Sequence, residues 1–140
     1  MSIDANKSLV CRLVKEAQEG GNLALVDELL AEDFVDHTPL PGVPPTRDGV
    51  RALFAGLHVA FPDLRVTIHE QIAEGNQVVT RKTFEGTHGG PFMGIPATGN
   101  RIAFPVIDIL TLRDGKIREH RLVLDQLQLL QQLGAMPASA

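Results

Sequence analysis

The hydrophobic period of this chain changes once, and that change restricts the fold more than any other feature. Before residue 63 the apolar residues recur at helical spacing: Leu9, Val10, Leu13, Val14 and Ala17, then Leu25, Val26, Leu29 and Leu30, then Val50, Leu53, Phe54, Leu57 and Phe61. From Leu64 onward Val66, Ile68 and Ile72 alternate with Arg65, Thr67, His69 and Gln71. The first pattern gives a helix one apolar stripe, and the second gives a strand one apolar face. Helices first and strands afterwards predict an α+β fold, with the N-terminal helices covering a curved, mostly antiparallel sheet.

Local punctuation sets the element ends. Asp4, Asn22 and Thr46 stand where N-caps belong, Gly20-Gly21 stops the first helix and Pro62 ends the third. Pro39 to Pro45 makes a loop too long for a simple turn. Gly75-Asn76 and Asp114-Gly115 predict two hairpins, the first leading into Gln77–Thr87 and the second joining Arg101–Arg113 to Lys116–Asp125. Between them, His88 to Asn100 forms a Gly- and Pro-rich loop around the apolar tip Phe92-Met93-Gly94-Ile95, and Leu127, Leu129, Leu130 and Leu133 suggest a closing helix ended by Gly134.

If both turns are two-residue loops, register follows. Glu70 then lies opposite Arg81 on the face of Val66 and Ile68, and Asp108 lies opposite Arg121 on a face shared with Asp125, Val106, Leu110 and Val123. The other face of the second hairpin carries Ile107, Ile109, Leu122 and Leu124, so both faces are apolar there. Three helices cannot cover both, and a homodimer formed through the outer sheet face is expected.

Composition excludes several function classes. A chain of 140 residues is expected to form a single domain spanning 1–140, and at this size about 68% of the unfolded surface is buried without a metal or disulfide staple. A formal charge of −4, no basic run and no Trp or Tyr argue against a nucleic-acid partner. No apolar run approaches the ~18 residues of a membrane span, and the opening MSIDANKSLV does not read as an export signal. The lone Cys11 cannot bridge within the chain, which fits a reducing, cytoplasmic location.

Several residues are candidates for chemistry, each with a structural alternative. Asp125 ends the apolar run Leu122-Val123-Leu124 and precedes an apolar helix, so it is either an N-cap or a desolvated carboxylate suited to acid–base work. Asp108 is either an ion-pair partner of Arg121 or a polar group of a pocket, and Arg81 either pairs with Glu70 or orients a substrate carbonyl. His37 and His88 each leave an element beside a Pro/Gly loop that could rim a cavity. His58 suits a helix end, His69 the polar face of its strand, and His120 a structural role on the face opposite Asp125. The five histidines show no HExxH or other metal spacing, Gly86 to Gly90 matches neither nucleotide fingerprint, and no GxSxG elbow occurs. No metal and no cofactor are expected.

Read together, NLALVDELLAEDFVDHTP (Asn22 to Pro39), AFPDL (Ala60 to Leu64), GTHGGPFMGIPATG (Gly86 to Gly99) and DGKIREHRLVLDQLQLLQQLG (Asp114 to Gly134) resemble the SnoaL-like polyketide cyclases, also called predicted ester cyclases, of the NTF2-like superfamily. The resemblance spans essentially the whole chain. It implies a cone-shaped α+β barrel with a deep apolar pocket, usually dimeric, and ring closure by intramolecular aldol condensation without cofactor. The family's pocket aspartate matches Asp125. The resemblance thus makes Asp125 the expected base that abstracts a proton α to a carbonyl, with donors such as His37, His88 or Arg81 stabilising the enolate. Phe92, Asp108 and Arg121 are expected to line the site of a small apolar or polyketide-like carbonyl substrate. Arg121 and Lys82 occupy positions that are often Trp in the family. The alternatives are a non-catalytic small-molecule binder, or an isomerase or hydrolase of the same superfamily.

Overall fold

The computed structural model describes residues 2–137. Helix α1 spans Ile3–Arg12, and Ser2 caps it in place of Asp4: its hydroxyl accepts the Ala5 N–H at 3.0 Å, leaving Asp4 in the first turn to complement the helix dipole. The helix runs on as a π-helical stretch, Leu13–Glu19, which buries Leu13, Val14, Ala17 and Gln18. Helix α2 (Ala24–Leu29) starts at Leu23 without a side-chain cap; Asn22 serves it through its carbonyl, which accepts the Leu25 N–H at 3.2 Å.

Strand β1 (Leu30–Asp36) follows directly. The periodicity does not announce it, because Leu30 continues the apolar stripe of α2. Helix α3 (Arg47–Ala60) is capped as expected by Thr46, whose hydroxyl accepts the Gly49 N–H at 3.2 Å. Strands β2 (Arg65–Glu74), β3 (Gln77–Thr87), β4 (Arg101–Arg113) and β5 (Lys116–Leu124) then precede the short helix α4 (Gln126–Gln132).

The five strands form one open sheet in the order β1-β5-β4-β3-β2. All neighbours are antiparallel except β1 and β5, which run parallel. The helices pack on one face of this sheet, over a core that includes Val10, Val26, Phe61, Val66, Ile102 and Ile117. No helix among the described residues is long and apolar enough to cross a membrane.

Both turns form where the glycines predict, with Glu74 opposite Gln77 and Arg113 opposite Lys116. Each hairpin then contains a bulge that the turn cannot reveal. In β2 the register shifts at His69, so Glu70 still faces Arg81 but Ile68 faces Lys82. In β5 the shift falls at Arg118, so Asp108 faces Leu122 and Arg121 faces Ile109. One extra residue exchanges the two faces of a strand. The expected Asp108–Arg121 pair therefore does not form, and Arg81 stands on the outer face rather than beside Val66.

Candidate functional site

The concave side of the sheet and the helices enclose a cavity of about 410 Å³. Phe84, Phe104, Val106, Leu122 and Leu124 form its sheet wall, α3 supplies Leu53 and Leu57, and α4 supplies Leu129. Two loops shape the mouth. Pro39 to Pro41 come from the proline-rich segment, while Phe92 and Met93 come from the glycine-rich one. That second tip is a tight two-residue turn: Phe92 and Ile95 exchange backbone hydrogen bonds at 3.0 and 2.9 Å, with Met93 and Gly94 both at positive φ (50° and 76°). The apolar tip is thus a closed hairpin rather than a slack loop.

The polar part of the wall is concentrated at the end of β1 and the middle of β5. Asp36, buried, is the last residue of β1, and His120 lies beside it in the parallel register. His120 Nδ1 is 3.0 Å from Asp36 Oδ1, and the same carboxylate oxygen accepts the Thr38 N–H at 3.0 Å. Burial pushes the Asp36 carboxyl up, but the His120 hydrogen bond, the imidazole charge and the Thr38 N–H together hold it below its ordinary value. Asp36 is therefore a carboxylate at neutral pH and can only accept. The proton shared with His120 belongs to Nδ1, and a neutral ring presents the lone pair of Nε2.

Beneath His120 lies a smaller chamber of about 50 Å³, bordered like the main cavity by Asp36, Leu53 and His120. It contains a buried ion pair, Lys82 Nζ to Asp108 Oδ2 at 2.8 Å, with the two side chains only 5% and 3% exposed. Lys82 also donates to Gln18 Oε1 at 3.1 Å, a contact supplied by the π-helical stretch, and stands 5.3 Å over the Phe84 ring. His120 Nε2 is 3.9 Å from Asp108 Oδ2, so the imidazole lies between two carboxylates.

The residues singled out from sequence are dispersed by comparison. Phe92 lines the cavity and Asp108 the chamber. Asp125 is exposed and caps α4, its Oδ1 accepting the Gln128 N–H at 2.9 Å; its chain neighbours Leu124 and Gln126 line the cavity. His37 is exposed, 2.8 Å from Glu119. Its hydrogen bond heads the causes that hold the Glu119 carboxyl below its usual range. Arg81 pairs with Glu70 at 2.7 Å on the outer face, and Arg121 lies there too, 3.6 Å from Glu119. His88 is fully buried and pins its loop, with Nδ1 accepting from the Thr98 N–H at 3.3 Å and lying 2.9 Å from the Thr98 hydroxyl.

Asp36, His120 and Lys82 were not singled out as site residues. Asp36 is the one charged residue flanked by Phe34, Val35 and His37 at a strand end, which is a readable signal once β1 is known. His120 requires the bulge at Arg118, which leaves no mark in the sequence.

The sequence profile of the SnoaL-like polyketide cyclases matches residues 8–133. Two curated relatives are each 32% identical: the aklanonic acid methyl ester cyclase DauD of Streptomyces sp. strain C5, over 90% of this chain and 80% of that protein, and DnrD of Streptomyces peucetius, described in the same words, over 90% and 88%. Among solved structures, TsrD from Streptomyces laurentii superposes with a TM-score of 0.88 at 31% identity, covering 97% of this chain and 99% of TsrD. Profile, relatives and structural likeness agree over nearly the full length, and this chain belongs to the SnoaL-like polyketide cyclase family.

Proposed function

We propose that the protein closes a carbon ring by intramolecular aldol condensation of a polyketide-like carbonyl compound, without cofactor, and that His120 moves the proton. The observation that carries this reading is the Asp36–His120 pair on the wall of an otherwise apolar cavity. Nε2 of the neutral imidazole takes a proton from a carbon flanked by carbonyls, giving an enolate and an imidazolium. Asp36 accepts from Nδ1 and Asp108 lies near Nε2, so the positive ring is stabilised from both sides. The enolate carbon attacks a second carbonyl of the same molecule, one C–C bond forms, and the new alkoxide recovers the proton from Nε2. No water is lost in this addition step, so the product is an isomer of the substrate. Apolar walls hold the chain folded and exclude water from the reacting carbons.

A second reading keeps Asp125 as the acid–base residue, as the family resemblance implies. Its position between Leu124 and Gln126, both of which line the cavity, favours it. Two substitutions separate the readings, assayed by ring closure of aklanonic acid methyl ester and by deuterium exchange into its acidic carbon. His120→Gln is expected to lower both rates by roughly 10²–10⁴-fold. Asp125→Asn, which preserves the cap, is expected to leave them within about threefold. The reverse result assigns the base to Asp125, and an inactive wild-type protein overturns the ring-closure reading. We also propose that two copies associate through the outer sheet face.

A further inference from the structure

We infer that the small chamber beneath His120 is a specificity subsite for a neutral hydrogen-bond donor, an alcohol, phenol or enol hydroxyl. The inference rests on the ring-closure reading only for the identity of the molecule that fills the main cavity. The chamber itself is defined by its geometry.

Three charged side chains border it, and two of them, Lys82 and Asp108, are unequally satisfied. Lys82 donates to Asp108 Oδ2 and to Gln18 Oε1, and the Phe84 ring covers another side of the ammonium. Asp108 Oδ2 receives Lys82, but Oδ1 has no hydrogen-bond partner among the described residues, although the residue is 3% exposed. A buried carboxylate oxygen without a donor is unfavourable, since nothing replaces its hydration. The chamber is otherwise lined largely by apolar side chains such as Leu13, Val14, Phe34 and Ile117. The unmet capacity of this wall is therefore acceptor capacity.

Charge narrows the ligand further. Asp108 is paired with Lys82, and Asp36 is already held by His120 and the Thr38 N–H, so a second cation entering beside Lys82 would meet a like charge. A carbonyl would set its own oxygen against Asp108. A hydroxyl satisfies Oδ1 without adding charge. The volume of about 50 Å³ admits a hydroxyl and its carbon but no ring, and the chamber shares the wall formed by Asp36, Leu53 and His120 with the main cavity. A hydroxyl held here lies beside the imidazole, so it would also fix which carbon of the substrate meets Nε2. A site built to receive a hydroxyl rejects the analogue that lacks one more strongly than it would reject a missing methylene.

The test compares 2-naphthol with 2-methylnaphthalene, in which a methyl replaces the hydroxyl at similar volume, by calorimetric titration of the full chain. The wild-type protein is expected to bind 2-naphthol roughly 10- to 100-fold more tightly, the range of one hydrogen bond to a charged group. Replacing the ion pair by apolar residues of similar volume, Lys82→Met with Asp108→Leu, is expected to preserve folding and to bring the ratio to about one. Asp108→Asn, which keeps an acceptor for Lys82 and turns a donor toward the chamber, serves if the double variant does not fold, and it is expected to abolish the preference. Equal binding of the two probes by the wild type, a preference that survives in the folded variant, or failure of 2-naphthol to saturate would each overturn the subsite. Ring closure does not enter this readout. Loss of the cyclisation activity with the hydroxyl preference intact would overturn the proposed function and leave the subsite standing.

Discussion

Asp36 makes the stability of the protein depend on pH. Its folded value lies below the ordinary carboxylate value, with burial opposing and the His120 and Thr38 contacts outweighing it. A depressed carboxylate contributes stability that is present above the unfolded value of about 3.9 and is lost as pH falls through the lower folded value. Asp36→Asn removes this contribution. Urea midpoints measured from neutral to acid pH should show the variant less stable near pH 7, with the gap narrowing on acidification; a gap independent of pH would contradict the role given to the carboxylate. At this scale the sequence was only partly legible. Asp125 and Asp108 stood out because each interrupts an apolar run, and that signal does not distinguish a cap from a base or an ion pair from an open acceptor. His120 was assigned to the wrong face because the single extra residue at Arg118 reverses the parity of everything after it in β5.

At the scale of elements, glycine and proline made much of the fold readable. Gly75 and Gly115 adopt positive φ (58° and 74°) in the two hairpin turns, and Thr46 caps α3 from its expected place. Strand β1 was not readable, since its pairing is with β5, more than eighty residues away, and its apolar residues extend the stripe of α2. Helix α3 also determines how the proline-rich loop meets the cavity. A Cβ on Gly49 would lie 1.9 Å from the Pro44 carbonyl oxygen, whereas one on Gly56 in the same helix meets nothing within 4 Å. Alanine at the two positions should therefore act in opposite directions. Gly56→Ala is expected to stabilise the protein by about 0.5–1 kcal/mol, the helix preference of alanine over glycine. Gly49→Ala is expected to cost about 1–3 kcal/mol, and to weaken 2-naphthol binding, because the displaced loop carries Pro39, Leu40 and Pro41 of the cavity wall. Chemical denaturation with the same calorimetric probe measures both; a stabilising Gly49→Ala would show that the loop moves freely from the helix.

For the whole molecule, the open sheet leaves one face without helices, and the bulges decide what that face displays. The register aligns Val123 with Ile107 across β5 and β4, and Ile109 with Val79 and Ile72 across β4, β3 and β2. Val123, Ile72 and Ile107 are 74%, 62% and 46% exposed, with the Arg81–Glu70 and Arg121–Glu119 pairs beside them. An apolar centre with charged pairs at its edge has the composition of an interface core and rim. The two faces of β4 and β5 were both recognisably apolar in the sequence, but which residues belonged to the outer one depended on the bulge. Leu122 and Leu124 are half-buried against the cavity, while Val123 between them, which also borders it, is left largely exposed. If two copies meet here, light scattering after size exclusion at micromolar concentration should give twice the 15.2 kDa chain mass, and Ile107→Lys, central in the face, should return the mass to one chain with the melting temperature little changed at matched concentration. A wild-type species of one chain mass sinks the dimer. A variant that remains dimeric places the contact elsewhere, because a lysine ammonium buried without a partner in the middle of the interface would be too unfavourable to retain.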